Sequence, residues 1–226
     1  IGIRLFRDFF SVGTKVAGGL ELYHQNETKS LYSPSLKQYD LRLNQQVLWL
    51  GQAFRLGNAK RPLNLVFAVA LQNKLFTKRP YVDVDSNQLF HNSSQIIGSV
   101  TLSRNFYYTG NYIYQFGRTE DIPYGFKCSL SFGPDAYEYS QRYYSGLSFA
   151  IARYINRFGY LSGRFSGDGY WTKGVMSQGY ASVTIDYFSP LQYRFFNKVR
   201  HFLTLKYATG IRRLEGESFH VVKELG

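Results

Sequence analysis

The residue types that most often carry chemistry are few in this 226-residue chain, and they lie far apart. The one cysteine, Cys128, cannot form an internal disulfide, and its alternation with Phe126 and Leu130 is typical of a small packing residue. No histidine has a second histidine or a cysteine at the spacing of shared metal ligands, and this holds for His24, His91, His201 and His220. We therefore expect no metal site, no cofactor and no catalytic residue, and hence a protein that is not an enzyme.

One acidic segment begins like a calcium-binding loop. Residues 83–87 have the sequence DVDSN, but Gln88 stands where such a loop needs glycine, and Ser94 stands where it needs a bidentate glutamate. The sequence excludes an EF-hand and leaves a loosely held cation as an open alternative. The stretch 74–95 is better interpreted as a long polar loop. No nucleophile elbow, P-loop or dinucleotide-binding glycine motif occurs.

The elements that would position any functional residue are strands, because apolar and polar residues alternate along most of the chain. In 180–188, for example, Val183 and Ile185 fall on one face while Ser182 and Thr184 fall on the other. Glycine, proline and asparagine pairs interrupt the alternation and predict turns near 33–34, 57–58, 108–110, 133–135, 167–169 and 189–190. The pattern predicts ten or eleven strands near 3–10, 14–24, 38–50, 62–73, 95–104, 110–117, 126–133, 147–152, 158–167, 180–188 and 200–212.

Alternation alone is compatible with a soluble β-sandwich and with a membrane barrel. Two features favour the barrel. The polar faces are rich in serine and threonine, as barrel interiors are, and aromatic residues cluster at strand ends, where they could lie at the level of lipid headgroups. We therefore predict an all-β fold, an antiparallel transmembrane β-barrel or a ten- to eleven-stranded portion of one, which forms a single domain over residues 1–226.

A barrel assigns each alternating residue to one of two faces. The residues predicted to face lipid are Phe126, Leu130, Phe132, Leu147, Phe149, Ile151, Val183 and Ile185. The residues predicted to face the lumen are Ser129, Ser131, Ser182, Thr184 and Asp186. The residues predicted to form aromatic girdles at the two interfaces are Tyr107, Tyr108, Tyr143, Tyr144, Trp171 and Phe188. A register error of one residue would exchange the first two sets.

The chain is strongly basic, with 27 lysines and arginines against 15 acidic residues and a formal charge of +12. These cations are scattered over strand ends and turns and do not form the continuous groove that would follow a nucleic-acid backbone. We expect no nucleic-acid partner. Contact with anionic lipid headgroups or lipopolysaccharide phosphates suits this spread, and charge that serves only solubility is the alternative.

No run of about 18 to 20 apolar residues predicts a spanning helix, and no signal-peptide pattern occurs. The chain starts at Ile1, and its single methionine is Met176. These observations suggest a processed protein or a fragment of a longer one.

Four segments, in this order, carry a family resemblance. They are residues 98–108 (GSVTLSRNFYY), 116–125 (FGRTEDIPYG), 158–163 (FGYLSG) and 187–191 (YFSPL). Together they resemble outer-membrane assembly barrels of the bacterial surface-antigen superfamily (BamA type), in its Bacteroidetes branch. The resemblance is clearest over residues 95–226.

That resemblance implies periplasmic POTRA domains followed by a sixteen-stranded barrel, which inserts or translocates client proteins through a seam between its first and last strands. It also implies an Arg-Gly-aromatic motif in the sixth outer loop, but this chain contains no Arg-Gly pair. Residues 223–226 (KELG) are similar to those just before that motif. The chain would then be the first ten or eleven strands of such a barrel, with two open edges.

The sequence therefore predicts a protein of the bacterial outer membrane that inserts or exports other proteins. Its expected partners are outer-membrane lipid and lipopolysaccharide and, through the resemblance, client outer-membrane proteins and assembly subunits. A passive, porin-like channel is one alternative, and a soluble β-sandwich that binds glycans is another.

Overall fold

A computed structural model describes residues 1–9, 13–32, 36–58, 62–111, 119–194 and 197–214. It is built almost wholly of strands, which confirms the all-β prediction. Only one turn of 3-10 helix, Gln88–Phe90, interrupts them, and within these ranges no helix has the length and apolarity needed to cross a membrane. The strands are β1 Gly2–Arg7, β2 Val16–Tyr32, β3 Leu36–Leu56, β4 Leu63–Lys78, β5 Ser93–Asn111, β6 Thr119–Tyr137, β7 Ser140–Ile155, β8 Gly159–Thr172, β9 Val175–Phe188, β10 Gln192–Arg194, β11 Asn197–Val199 and β12 Phe202–Ile211.

Ten of the strands form one sheet in which every neighbour is antiparallel. Its order is β1-β2-β3-β4-β5-β6-β7-β8-β9-β12, which follows the chain, and the small hairpin of β10 and β11 lies between β9 and β12 in sequence. Such a meander needs only short connections. In the part of the chain that the structure describes, β1 pairs only with β2, and β12 pairs only with β9. The described strands therefore form an open sheet with two free edges, and they do not close into a barrel among themselves.

Several predicted turns lie inside strands, which corrects those boundaries. Residues 108–110 belong to β5, residues 133–135 to β6 and residues 167–169 to β8. Pro134 shows how a turn-like sequence fits a strand. It pairs with Tyr143 on β7, whereas the ladder to β5 is interrupted beside it because proline has no N–H to donate. Of the predicted strand 110–117, residues 110 and 111 end β5, and residues 112–117 lie outside the described ranges.

The sheet curls strongly around its polar face. Neighbouring strands are about 4.8 Å apart, so β5 and β8 would lie about 14 Å apart in a flat sheet. Nevertheless Nε2 of Gln95 on β5 donates to the Tyr170 hydroxyl on β8 at 2.9 Å. Gln45 on β3 and Gln178 on β9, six strands apart, line the same pocket of about 240 Å³. The polar face is therefore concave and the apolar face is convex.

The sheet has two rims, at which its strands turn. The β6–β7 rim carries the connection between β6 and β7 and also those after β2, β4 and β8. The β7–β8 rim carries the connection between β7 and β8 and also those after β1, β3, β5 and β9. One packed cluster lies near the β7–β8 rim, where Ile122, Tyr160 and Phe188 are buried. Few other large apolar side chains are buried among the described residues, because most of them project from the convex face.

Two strand glycines give a matched test of the sheet. A Cβ at Gly133 would come 1.8 Å from the backbone oxygen of Ile96, whereas a Cβ at Gly163 would meet nothing within 4 Å. We expect Gly133→Ala to lower the free energy of unfolding by about 1–3 kcal/mol, because backbone atoms must move to relieve the overlap. Gly163→Ala should change it by less than about 0.5 kcal/mol. Urea titration of both variants provides the measurement, and equal effects would contradict the register of β5 with β6.

Candidate functional surfaces

The cross-strand register places all eight residues predicted to face lipid on the convex face. Leu130 lies opposite Leu147, and Phe126 lies opposite Ile151. The row of Phe126 and Ile151 continues through Gly163 to Ile185, and the neighbouring row of Cys128 and Phe149 continues through Phe165 to Val183. All of the eight except Phe126, which is half-buried, are among the exposed large apolar side chains.

The convex face remains apolar across all ten strands. Exposed members include Ile3 on β1, Val69 on β4 and Leu205 on β12. A continuous area of the convex face, which we call the apolar field, contains no Asp, Glu, Lys or Arg. This field comprises alternate positions of 1–5, 16–24, 44–56, 63–75, 94–102, 126–136, 141–151, 161–171, 179–187 and 203–211. An exposed apolar surface of this extent far exceeds the patches that soluble monomers present to water.

Polar residues border this field at both rims. Toward the β7–β8 rim the convex face ends in arginines, which by register are Arg7 on β1, Arg104 on β5 and Arg153 on β7. Toward the β6–β7 rim it ends in polar side chains, which include Gln46, Asn73, Ser94 and Gln141 and, beyond Asn44 on β3, the charged Arg42 and Asp40. The apolar field is therefore a band with polar residues along both borders.

The concave face carries the five residues predicted to face the lumen. Ser129 lies opposite Ser148, which lies opposite Ser166, and this row of hydroxyls ends at Ser182. The hydroxyls of Ser166 and Ser182 are 2.8 Å apart, as are those of Thr101 and Ser129. Ser131 and Thr184 lie on the same face, one row to either side. The register thus places the predicted polar set and the predicted apolar set on opposite faces of the sheet.

Asp186 is the acidic member of the predicted polar set, and the concave face supplies its partners. Its Oδ1 accepts from the Thr204 hydroxyl at 2.9 Å, and its Oδ2 accepts from Nη2 of Arg164 at 3.1 Å. The Ser162 hydroxyl donates to Oδ2 at 3.4 Å. The carboxylate therefore belongs to a hydrogen-bonded group that joins β8, β9 and β12.

The six residues predicted as interfacial aromatics occupy different environments. Tyr107 and Tyr143 are exposed, and Nε1 of Trp171 donates to the Ser145 hydroxyl at 2.8 Å. The other three pack against the concave side. Tyr144 lies beside Tyr170, Tyr108 stacks on Tyr154 with centroids 4.2 Å apart, and Phe188 is buried against Tyr160. Tyr144 and Phe188 hold concave-face positions by register, and Tyr108 packs against the buried cluster that contains Phe188.

A buried ion pair that the sequence did not reveal lies on the concave face near the β6–β7 rim. Nε and Nη2 of Arg142 donate to Oδ2 of Asp135 at 2.8 and 2.5 Å. The guanidinium lies between the rings of Tyr137 and Tyr170, at 3.6 and 4.1 Å from their centroids. Asp135 is wholly buried, and its pairing with Arg142 in register follows from the β6–β7 hairpin. The sequence predicted a turn at residues 133–135 and therefore did not predict this pair.

The connection between β4 and β5 is shorter than predicted and is docked onto the next hairpin. Residues 74–78 and 93–95 of the predicted loop belong to strands, which leaves 79–92 as the loop. Arg79 forms a bidentate ion pair with Glu138 at 2.5 and 2.6 Å, and the Asn92 N–H donates to Glu138 at 2.8 Å. Phe90 is buried, so the loop is fixed by charge and by packing.

The acidic segment within this loop forms a tight turn. Oδ1 of Asp83 accepts from the Val84 N–H at 2.7 Å, and Asp83 pairs with Ser86 as an isolated bridge. His91 is buried, between the rings of Tyr137 and Tyr139. Within the described ranges, no three His, Cys, Asp or Glu side chains are grouped closely enough to hold a metal ion. His220 lies outside these ranges.

The two edges of the sheet differ in length and attachment. The edge strand β1 has six residues, all exposed, and its attachment to β2 includes the Arg4–Glu21 ion pair at 2.6 Å. The edge strand β12 has ten residues paired with β9. Each edge leaves one side of its backbone unpaired among the described strands, and such a row of donors and acceptors can pair with another strand.

Comparison of the chain with protein-family models, with curated proteins and with solved structures finds no match.

Acid should release the docked loop. Hydrogen bonding from Arg79 lowers the pKa of Glu138 to about 2, from an ordinary value of 4.5. A carboxyl whose pKa is lower in the docked state stabilises docking fully above its undocked pKa. That stabilisation is lost as the pH falls from about 4.5 through 2. Spin labels at Val84→Cys and Gln141→Cys, in a Cys128→Ser background, report the position of the loop. We expect the distribution of distances between them to broaden as the pH falls through this window.

The matched control for this pH dependence is Glu138→Gln, which removes the titrating group. It should broaden the distance at neutral pH and abolish the pH dependence between 4.5 and 2. A similar pH response in this variant would instead assign the acid effect to another group.

The buried ion pair should matter far more than an exposed one. Arg142→Met leaves the Asp135 carboxylate buried without its cation, so we expect a loss of about 3–5 kcal/mol in the free energy of unfolding. Arg164→Met removes an ion pair whose arginine is 61% exposed and should cost about 0–1 kcal/mol. Denaturant titration compares the two variants, and a smaller loss in Arg142→Met than in Arg164→Met would refute the assignment.

Proposed function

We propose that the chain is the barrel portion of a bacterial outer-membrane protein that belongs to the machinery inserting or exporting other proteins. The observation that carries this proposal is the charge-free apolar field on the convex face, which extends over ten strands. In this proposal the protein works through its shape and its strand edges, and it catalyses no covalent step.

The dimensions of the apolar field suit a bilayer. On β4 the convex face is apolar over the nine residues from Leu63 to Leu71, which matches the length of about 9–11 residues with which a tilted strand crosses a bilayer. A charged side chain facing lipid at mid-depth costs about 2–4 kcal/mol, which accounts for the confinement of charge to the concave face and the borders.

The arginines at one border support contact with the anionic partners proposed here. Arg7, Arg104 and Arg153 lie where the apolar field ends near the β7–β8 rim. A long arginine side chain at this level can keep its stem against apolar surface while its guanidinium reaches lipid or lipopolysaccharide phosphates. The formal charge of +12 acts in the same direction.

The role in insertion or export rests on the free edges together with the sequence resemblance. An unpaired edge can template an incoming strand by β-augmentation, in which main-chain hydrogen bonds provide affinity without requiring a particular client sequence. Strand β1 is the better candidate for this edge because only six residue pairs attach it to β2, whereas ten pairs attach β12 to β9. Client outer-membrane proteins and assembly subunits are therefore the proposed protein partners.

A passive channel is the second candidate, and the hydroxyl-lined concave face is the observation that favours it. A channel would need this face and the apolar field, but not a strand edge that receives a client. The soluble glycan-binding sandwich has less support. Its two stacked sheets would bury their apolar faces against each other, whereas the described strands form one large sheet with an uncovered apolar face.

Neighbouring residues on β7 test the membrane assignment. Leu147 projects from the convex face, and Ser148 projects from the concave face. In the full-length protein refolded into lipid vesicles, Leu147→Arg should lower the free energy of unfolding by about 2–4 kcal/mol, because the cation would face hydrocarbon. Ser148→Arg should lower it by less than about 1 kcal/mol, because its side chain projects from the polar face. A larger effect of Ser148→Arg would reverse the assignment of the faces.

Photo-crosslinking tests the role in insertion or export. A crosslinking amino acid is placed at Leu5 on β1 or, as a control, at Leu147, which is similarly apolar but lies on a strand paired on both sides. In cells that contain the full-length protein, we expect crosslinks to newly made outer-membrane proteins from position 5 and few from position 147. Absence of client crosslinks at position 5, together with ion conductance in planar bilayers, would favour the passive channel.

A further inference from the structure

The concave face holds a second feature, a pocket between β6 and β12 that neither membrane insertion nor strand templating requires. Its volume is about 530 Å³, within the range of small-molecule sites. Its charged lining residues are Lys127, Arg164 and Lys206, and its hydroxyl-bearing lining residues are Ser148, Ser166, Tyr180, Ser182 and Thr184.

The three cations lie in one row across the sheet. Lys127 on β6 is opposite Ala150 on β7, which is opposite Arg164 on β8. The row continues through Thr184 on β9 to Lys206 on β12. Lys127 and Lys206 are each two strands from Arg164, about 10 Å in a flat sheet, and four strands or about 19 Å from each other. Curling toward this face brings the ends of the three side chains closer together.

A row of hydroxyls lies directly beside the row of cations. It consists of Ser148, Ser166 and Ser182, each two residues from a member of the cationic row on β7, β8 or β9. The hydroxyls of Ser166 and Ser182 are within hydrogen-bonding distance of each other, so one of them retains a proton that it can donate to a ligand. Donors next to cations are the combination that binds phosphate oxygens.

The charge of this pocket is not balanced by the protein around it. Arg164 pairs with Asp186 at 3.1 Å, but Lys127 and Lys206 form no ion pair within the described part of the chain. The next carboxylate on this face, Asp168, lies two rows from the cations, in the row of Gly146 and Tyr180. The pocket thus has three cations and one adjoining carboxylate, and mutual repulsion of the cations favours a bound anion.

We propose that this pocket binds a phosphate group, with Lys127 and Lys206 as its principal ligands and the serine hydroxyls as donors. Two charges of a phosphate would neutralise the excess of two cations. The volume leaves room for an organic group attached to the phosphate, so a phosphorylated solute or a lipid headgroup fits as well as the free ion. The proposal depends on the pocket alone and holds for an insertase or a channel.

The test measures binding of inorganic phosphate to the full-length protein in detergent free of lipopolysaccharide, by isothermal titration calorimetry at low ionic strength. Lys127→Gln/Lys206→Gln should weaken binding at least tenfold. The matched control, Lys15→Gln/Lys173→Gln, removes the same net charge at exposed positions outside the pocket and should change binding less than twofold. Circular dichroism and thermal unfolding of each variant establish that it is folded.

A second variant gives an effect in the opposite direction. Asp186→Asn removes the carboxylate that competes for Arg164, so phosphate should bind more tightly by about threefold or more. This gain cannot come from a misfolded protein. Equal phosphate binding by the wild type and by the double lysine variant would overturn the proposal.

Vesicles with and without lipopolysaccharide distinguish the two sources of phosphate. Saturable binding of inorganic phosphate in detergent, lost in the double lysine variant, identifies a soluble phosphate as a sufficient ligand. Lysine-dependent binding that appears only with lipopolysaccharide vesicles assigns the phosphate to a lipid headgroup. Absence of lysine-dependent binding in both arms would refute the site.

Discussion

Cross-strand register is the constraint on which the rest of the structure depends. In an antiparallel sheet, residues directly opposite each other share a face, so one residue of slippage anywhere would carry charged side chains onto the apolar side. Nine ladders keep the two classes apart from β1 to β12. The irregularities in pairing are the register shifts at Arg42/Leu43 and Tyr170/Trp171 and the interrupted β5–β6 ladder beside Pro134, and they lie toward the β6–β7 rim. Because irregularities are confined to a rim, the apolar field is continuous.

The curl of the sheet and the polar chemistry of its inner face follow from this separation. Hydroxyl and amide side chains on the concave face find partners across strands, as Gln95 does with Tyr170 and Arg164 with Asp186. Arg142 and the docked 79–92 loop stabilise the β6–β7 rim, while the packed cluster around Phe188 stabilises the other end. The described molecule is therefore stabilised by hydrogen bonding and by its two ends, and a conventional apolar core contributes little.

The two faces could be predicted from the sequence because alternation is a local property. The period of two along 126–133, 147–152 and 180–188 is enough to divide the thirteen residues between two opposite faces as the register divides them. Strand ends could not be predicted in the same way. Gly133 and Pro134 resemble a turn, yet β7 pairs through them, and the Asp135–Arg142 pair exists only once that pairing is known. The aromatic residues were hardest, since the direction of Tyr108 or Phe188 depends on packing with distant strands.

Site-directed spin labelling of β7 would measure whether the convex face contacts hydrocarbon. Single cysteines at residues 147 to 152, in a Cys128→Ser background, would be labelled in the full-length protein in lipid bilayers. Collision rates with oxygen, which partitions into lipid, and with a water-soluble nickel chelate would be recorded at each position. We expect high oxygen accessibility at 147, 149 and 151 and higher nickel accessibility at 148, 150 and 152. Equal accessibility to the nickel chelate at all six positions would contradict contact of the convex face with lipid.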